Sequence, residues 1–264
     1  MKRAIICLPV FLSIIIFMIG GCGGGPKYAG STADEQFRHA KKEYDKGHYL
    51  NAIDLFQRVL FNFPGATVVD TAQYYLAHSY YGNKEYELAA VEFSRLLTNY
   101  PRSPFIDNAQ YMVGVCYLKN TPKHYGLDQE DLKKSMDALE DFIIDNPDSP
   151  LIEDAKKSIL EARTKLARKA YSNGMTYLKM YSYKAARIYF QMVIDDYTDT
   201  EYASRALFKI AESYFKEKKY SEAEGKFGNF LTLYPDNEWI PKAREYLEEI
   251  SYWLSIQNAS GESE

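Results

Sequence analysis

The sequence predicts an all-α protein: five helical hairpins in a stack, a lengthened central helix, and one more helix capping the C-terminal end. Three observations carry that prediction. A four-residue signature with fixed spacing recurs along the body, a second signature precedes each copy, and a Pro or another turn residue closes each unit.

The first signature is a Tyr, an Ala three residues on, an aromatic four further, and a turn residue eight further. It occurs as Tyr49-Ala52-Phe56-Pro64, Tyr86-Ala89-Phe93-Pro101, Tyr183-Ala186-Phe190-Thr198 and Tyr220-Ala223-Phe227-Pro235, with a degenerate copy at Leu132-Ser135-Leu139-Pro147. Spacings of three and four put side chains on one face of a helix. Pro cannot continue a helix, so it punctuates each unit. Thr198 in place of Pro predicts a weaker fourth boundary.

Upstream of each copy lies a second helix. An aromatic recurs at one phase (Phe37, Tyr74, Tyr111, Tyr171, Phe208), followed three residues later by a small residue (Ala40, Ala77, Gly114, Gly174, Ala211). Three further on stand Tyr80, Tyr117, Tyr177 and Tyr214, with Glu43 the exception. Small residues at matched positions let two helix backbones approach closely, and a bulky replacement there overpacks the contact at a cost of about 1–3 kcal/mol. The chain holds 24 Tyr, which points to many half-buried positions where a ring packs and its hydroxyl stays wet.

Two intervals depart from the repeat. Pro64 to Pro101 and Thr198 to Pro235 are each 37 residues, but Pro101 to Pro147 is 46 and Pro147 to Thr198 is 51. The first surplus falls in 119–131, which carries Thr121-Pro122, Gly126 and Asp128 and reads as a long loop. The second falls in 151–180, free of Pro, and predicts one helix longer by close to four turns. Within it, 156–169 holds six basic residues against the single acid Glu161, and reads either as a solvated face or as a surface for an acidic partner. Residues 239–257 read as the capping helix and 258–264 as a frayed tail.

The N-terminus has another character. Lys2 and Arg3 precede 16 uncharged residues, 4–19, about 24 Å of helix against roughly 30 Å of membrane hydrocarbon. That fits a cleaved signal peptide, 1–21, better than a spanning helix. Ile19-Gly20-Gly21-Cys22 resembles the bacterial lipobox, in which Cys22 receives lipid, and several acyl chains hold a protein stably at a membrane. Residues 22–33, opening Gly23-Gly24-Gly25-Pro26, read as a flexible tether. Lone Cys116, amid Val113, Gly114 and Tyr117, is expected to be a small buried hydrophobe.

Nothing in the sequence points to catalysis, a cofactor or a metal. No two of His39, His48, His78 and His124 stand at i,i+4, and there is no HExxH, CxxC, phosphate loop or nucleophile elbow. A net charge of −4 leaves no footprint for nucleic acid. A non-enzymatic, partner-binding scaffold is the expectation.

The aromatic–small–Tyr then Tyr–Ala–Phe–Pro grammar resembles the tetratricopeptide repeat over about three quarters of the chain. That resemblance implies a right-handed superhelix whose first helices line the concave face. On that face Phe37, Tyr44, Tyr74, His78, Tyr81 and Tyr111 are expected to form an aromatic ladder able to hold an extended peptide. The competing expectation is that these rings are only core between repeats.

Lipobox, tether, five repeats, looped third repeat and extended central helix together resemble the BamD family, lipoproteins of the β-barrel assembly machine. Asn146-Pro147-Asp148-Ser149-Pro150, Leu166-Ala167-Arg168-Lys169-Ala170-Tyr171 and Tyr197-Thr198-Asp199-Thr200 are similar to that family's central stretch and turn. The resemblance implies a lipid-anchored protein of the outer membrane facing the periplasm. Its N-terminal repeats, 34–147, would receive the C-terminal signals of unfolded outer-membrane proteins. Its C-terminal part, 148–257, would bind the periplasmic domains of the barrel insertase, and other assembly lipoproteins would join them. Two other envelope scaffolds share parts of the grammar. Tol-Pal-type coordinators carry an N-terminal coiled coil and no lipobox, and pilotins lack the long central helix.

Overall fold

Residues 31–260, the part described by the computed structural model, form eleven helices and no strand. The signal peptide, Cys22 and most of the tether lie outside these residues. The helices pair as α1 (Ala33–Asp45) with α2 (Tyr49–Asn62), α3 (Val69–Gly82) with α4 (Tyr86–Asn99), and α5 (Ile106–Asn120) with α6 (Glu130–Asp145). Then come α7 (Ile152–Lys179) with α8 (Tyr183–Asp196), α9 (Glu201–Lys216) with α10 (Tyr220–Leu233), and α11 (Ile240–Ser260). Each helix packs on the next in sequence, and first helices of neighbouring pairs also touch, α1 on α3 and α7 on both α5 and α9.

The recurrent residues are the core. Ala52, Ala89, Ala186 and Ala223 are wholly buried, as are Phe56, Phe93, Phe190 and Phe227, and each such ring contributes about 1.5–3 kcal/mol of burial. In the degenerate copy Leu139 takes the ring's place, and buried Ser135 is satisfied by donating its hydroxyl to the Gly114 carbonyl at 2.8 Å. The small residues of the first helices allow the expected close approach. A Cβ on Gly114 would stand 2.5 Å from Leu139 Cγ, and one on Gly174 would stand 2.6 Å from Phe190 Cε1. Cys116 is fully buried, and desolvation pushes its thiol up to about 12.

Two turns recur. Between the helices of a pair, one residue takes the left-handed conformation: Gly47 (φ 75°), Lys84 (φ 67°), Tyr181 (φ 57°) and Lys218 (φ 62°). The next residue's N–H then reaches back into the last turn, as in His48 to the Glu43 carbonyl and Lys219 to the Tyr214 carbonyl, both 3.0 Å. Between pairs, Phe63, Tyr100, Asn146, Tyr197 and Tyr234 leave the helix with φ near −130°. Tyr197 does so with φ −134° although Thr198 follows it, so the fourth boundary is no weaker than the others. The caps of neighbouring turns are alike: Thr200 N–H bonds the Tyr197 carbonyl at 3.1 Å, as Asn237 N–H bonds Tyr234.

Both departures from the period take their expected form. The first is the loop 121–129, and the second is α7, at 28 residues the longest helix here. The extra turns of α7 bury Ala162 against Leu118 of α5 and Leu132 of α6. Most of the basic segment is compensated, by acids that lie partly outside it. Lys156 pairs with Glu153, Lys157 with Asp154 and Lys165 with Glu161, while Arg163 grips Asp199 through Nε and Nη2 at 2.8–3.0 Å. The ends differ slightly from expectation. Thr32 and Glu35 form a capping box that starts α1, so helical order begins inside the stretch read as tether. At the other end α11 continues through Ser260, so 258–260 are helical rather than frayed.

Candidate peptide-binding groove

The six residues expected along the groove are all half-buried, and they divide into one contiguous cluster and two outliers. Phe37 lies 5.8 Å from Phe56 and 6.2 Å from Tyr75. Tyr44 meets the edge of Tyr75 at 5.2 Å. Tyr75 in turn touches Tyr74 at 5.5 Å, and Tyr74 stacks on Phe105 at 4.3 Å with 14° between the planes. His78 sits 4.4 Å from Tyr74 and edge-on to Phe93 at 5.0 Å. A continuous seam of rings therefore runs from α1 across α3 to the turn before α5.

Tyr81 and Tyr111 stand apart from that seam by ring contact. Tyr81 meets Tyr86 at 5.3 Å, and Tyr111 meets Phe142 at 5.8 Å. They are near each other, since Tyr111 is among the phenols that raise Tyr81. Phe37, Tyr44, Tyr74, Tyr81 and Tyr111 pack against the core clusters of the first three hairpins and each stays half-buried.

The electrostatics of the seam keep its hydroxyls protonated. Burial, followed by neighbouring phenols, pushes Tyr44 and Tyr74 above their ordinary value, and Tyr81 is raised chiefly by burial. None of these three hydroxyls has a hydrogen bond to the described residues, so each remains a donor for an incoming carbonyl. Lys41 holds its ammonium 4.8 Å over Tyr75 and 5.5 Å over Tyr44, with Asp45 pairing the same ammonium at 2.5 Å. His78 Nε2 is buried with no hydrogen-bond partner among the described residues, and desolvation lowers its pKa to about 4, leaving the ring neutral.

Sequence reasoning missed Tyr75, Phe105 and Lys41. Tyr75 follows the recurrent aromatic by one residue, where the other repeats have Arg38, Met112, Ser172 and Lys209, so no periodic signal marks it. The large apolar side chains that are most exposed lie elsewhere. Leu50, Phe61, Leu88, Val91, Ile144, Ile188, Met192 and Leu233 all belong to the second helices, and none of that class lies on α1, α3, α5 or α9.

Residues 30–216 match the YfiO family, described as outer membrane lipoprotein, and 205–237, covering most of α9 and all of α10, match the tetratricopeptide repeat. The chain belongs to the YfiO family. Two of its relatives carry the name outer membrane protein assembly factor BamD. That of Rickettsia prowazekii is 29% identical over 202 residues, 75% of this chain and 79% of the relative. That of Caulobacter vibrioides is 23% identical over 241 residues, 89% of this chain and 79% of the relative. Among solved structures, the P58(IPK) TPR domain gives a TM-score of 0.41 at 16% identity, covering 86% of this chain and 57% of that one. TTC0263, a thermophilic TPR protein of Thermus thermophilus, gives 0.36 at 16% identity, covering 84% and 100%.

Proposed function

We propose that this protein is a non-enzymatic scaffold for outer-membrane protein assembly, anchored to the outer membrane by lipid on Cys22 and facing the periplasm. Family membership and the names of the two relatives support the assembly role. The observation that carries the peptide-binding part is the half-buried ring seam, with its unbonded hydroxyls. Half-buried rings offer apolar contact at little entropic cost, and their hydroxyls bond a peptide backbone without asking for a particular sequence. An extended apolar-aromatic segment, such as the C-terminal signal of an unfolded outer-membrane protein, is the ligand of that chemistry.

In this reading 34–147 receives the signal, and 148–257 docks the insertase's periplasmic domains and other assembly lipoproteins, with α7 setting their spacing. A groove of about 790 Å³ supports the second assignment: α8 and α10 flank it, and Ile188 and Met192 lie exposed along it. Tyr252, Trp253 and Ile256 are also exposed, on α11.

Replacing Tyr44, Tyr74 and Tyr81 by Phe tests the groove while sparing the packing. The melting temperature should hold, and affinity for a signal peptide should fall several-fold. Unchanged affinity would remove the groove from the reading. Cys22→Ser should release the protein from the membrane fraction or leave it unprocessed, and unmodified Cys22 in membrane-bound wild type would rule out the anchor.

A further inference from the structure

The two intervals that break the repeat meet in space. A recessed pocket of about 510 Å³ is formed where the loop 121–129 folds against the lengthened α7 and the start of α4. The loop is pinned there by Lys169 of α7, whose ammonium donates to the Leu127 carbonyl at 3.0 Å, and by Arg168, 5.6 Å from the Tyr125 ring. Five cationic residues line the pocket: Lys84 from the left-handed α3–α4 turn, Lys119 and Lys123 from the first surplus, and Lys165 and Arg168 from α7. Among the described residues, none that lines it is acidic. Lys165 is matched by Glu161, just outside the lining, at 2.8 Å. Lys84, Lys119, Lys123 and Arg168 have no ion pair among the described residues, whereas Lys156 and Lys157, farther up the same helix, are each paired.

The floor and the rim differ in character. Leu118 and Gln129 are buried at the base, with half-buried Tyr86 and Tyr125 around them, while Pro122 is exposed at the edge beside Lys84, Lys119, Lys123 and Arg168. The amide nitrogen of Gln129 is already used, since it donates to the carbonyls of Leu127 and Asp128. A ligand therefore meets apolar surface when it enters and positive charge where it emerges. A lipid headgroup calls for the opposite arrangement, with the apolar side chains outermost to enter the bilayer.

We infer that this pocket docks an acidic segment of a protein partner, an apolar or aromatic side chain entering against Leu118, Pro122 and the two tyrosines while flanking carboxylates meet the lysines and Arg168. Exposed carboxylate–ammonium pairs are individually weak, but several converging on one short segment give a salt-sensitive attraction, and the buried side chain sets the register. The pocket borders Tyr81 through Tyr86, whose rings lie 5.3 Å apart, but it shares no residue with the ring seam and does not depend on what occupies that seam.

The test uses the whole protein and a labelled peptide, acetylated and amidated, of sequence Gly-Ser-Glu-Asp-Phe-Glu-Asp-Ser-Gly. Two companions replace its acids by Gln and Asn, or its Phe by Ser. The acidic peptide should bind saturably, and its affinity should drop about tenfold between 50 and 200 mM salt, as expected for several screened charge pairs. The Gln/Asn and Ser peptides should bind at least several-fold more weakly. Lys123→Gln with Arg168→Gln should weaken the acidic peptide by about three- to tenfold. Lys156→Gln with Lys157→Gln should leave it unchanged, as should Tyr74→Phe in the seam. Equal losses in the two double variants would mean diffuse surface attraction and would overturn the inference. So would equal binding of the Phe and Ser peptides, or no saturable binding. Sedimentation with phosphatidylglycerol vesicles that the pocket variant abolishes and the acidic peptide does not compete would assign the pocket to lipid instead.

Discussion

Replacing Gly174 by Ala should destabilise the protein, although the same change elsewhere in a helix ordinarily stabilises it. A Cβ at 174 would lie 2.6 Å from Cε1, 2.7 Å from Cδ1 and 3.0 Å from Cζ of Phe190. That ring has nowhere to go. It is fully buried, in one core cluster with Ala186, Val193, Ala206 and Ile210, and the Tyr171 ring stands 5.4 Å away. Forcing one methyl into such a contact costs about 1–3 kcal/mol, and the gain in helix propensity from Gly to Ala returns about 1 kcal/mol. The net loss should be roughly 1 kcal/mol. Gly228 of α10 is the internal control, because a Cβ there would meet nothing within 4 Å. Gly228→Ala should gain about 0.5–1 kcal/mol. Urea unfolding followed by circular dichroism reads both, with midpoint and slope compared because stacked repeats need not unfold as one unit. Adding Phe190→Leu to Gly174→Ala should recover part of what the methyl loses. If the two Gly→Ala changes move stability in the same direction, the close approach of α7 and α8 is not what the geometry says.

Two further predictions concern strain and charge. Lys218→Gly should raise stability by about 0.5 kcal/mol, because relief of the left-handed conformation at φ 62° outweighs the extra freedom of the unfolded chain, while Gly47→Ala at φ 75° should lower it by about 1 kcal/mol in the same denaturant assay. His78, whose folded pKa of about 4 lies below the ordinary 6.5, takes up its proton in the unfolded chain first. It should thus leave stability untouched above pH 6.5 and cost progressively more as pH falls towards 4, up to about 3 kcal/mol. His78→Phe should flatten that part of the stability–pH curve, and an unchanged curve would place the imidazole in contact with water.

Some of this protein was legible from spacing alone. Residues three and four apart along a helix share a face whatever surrounds them, so the Tyr–Ala–Phe signature located the core rings, and Gly114 and Gly174 marked the close helix contacts. The lengthened α7 was legible too, because a surplus near four whole turns keeps the packing face in phase. Left-handed Lys84, Tyr181 and Lys218 were not, since no Gly stands there; the backbone accepts the strain because the turn satisfies the helix end. Nor was the seam complete. Tyr75 is in the wrong phase for the repeat, and it joins α1 to α3 only because Phe37 and Tyr44 arrive from the neighbouring hairpin. The basic segment carried a sign but no assignment. Lys156 and Lys157 are neutralised by acids just before the segment and Arg163 by an acid 36 residues on, while Arg168 faces a loop from another repeat. Periodicity is a local property of one helix, and it determined which residues face inward. Which charges stay uncompensated, and which rings stay half-buried, depends on chain segments that meet only when the hairpins stack, so only the tertiary structure decided them.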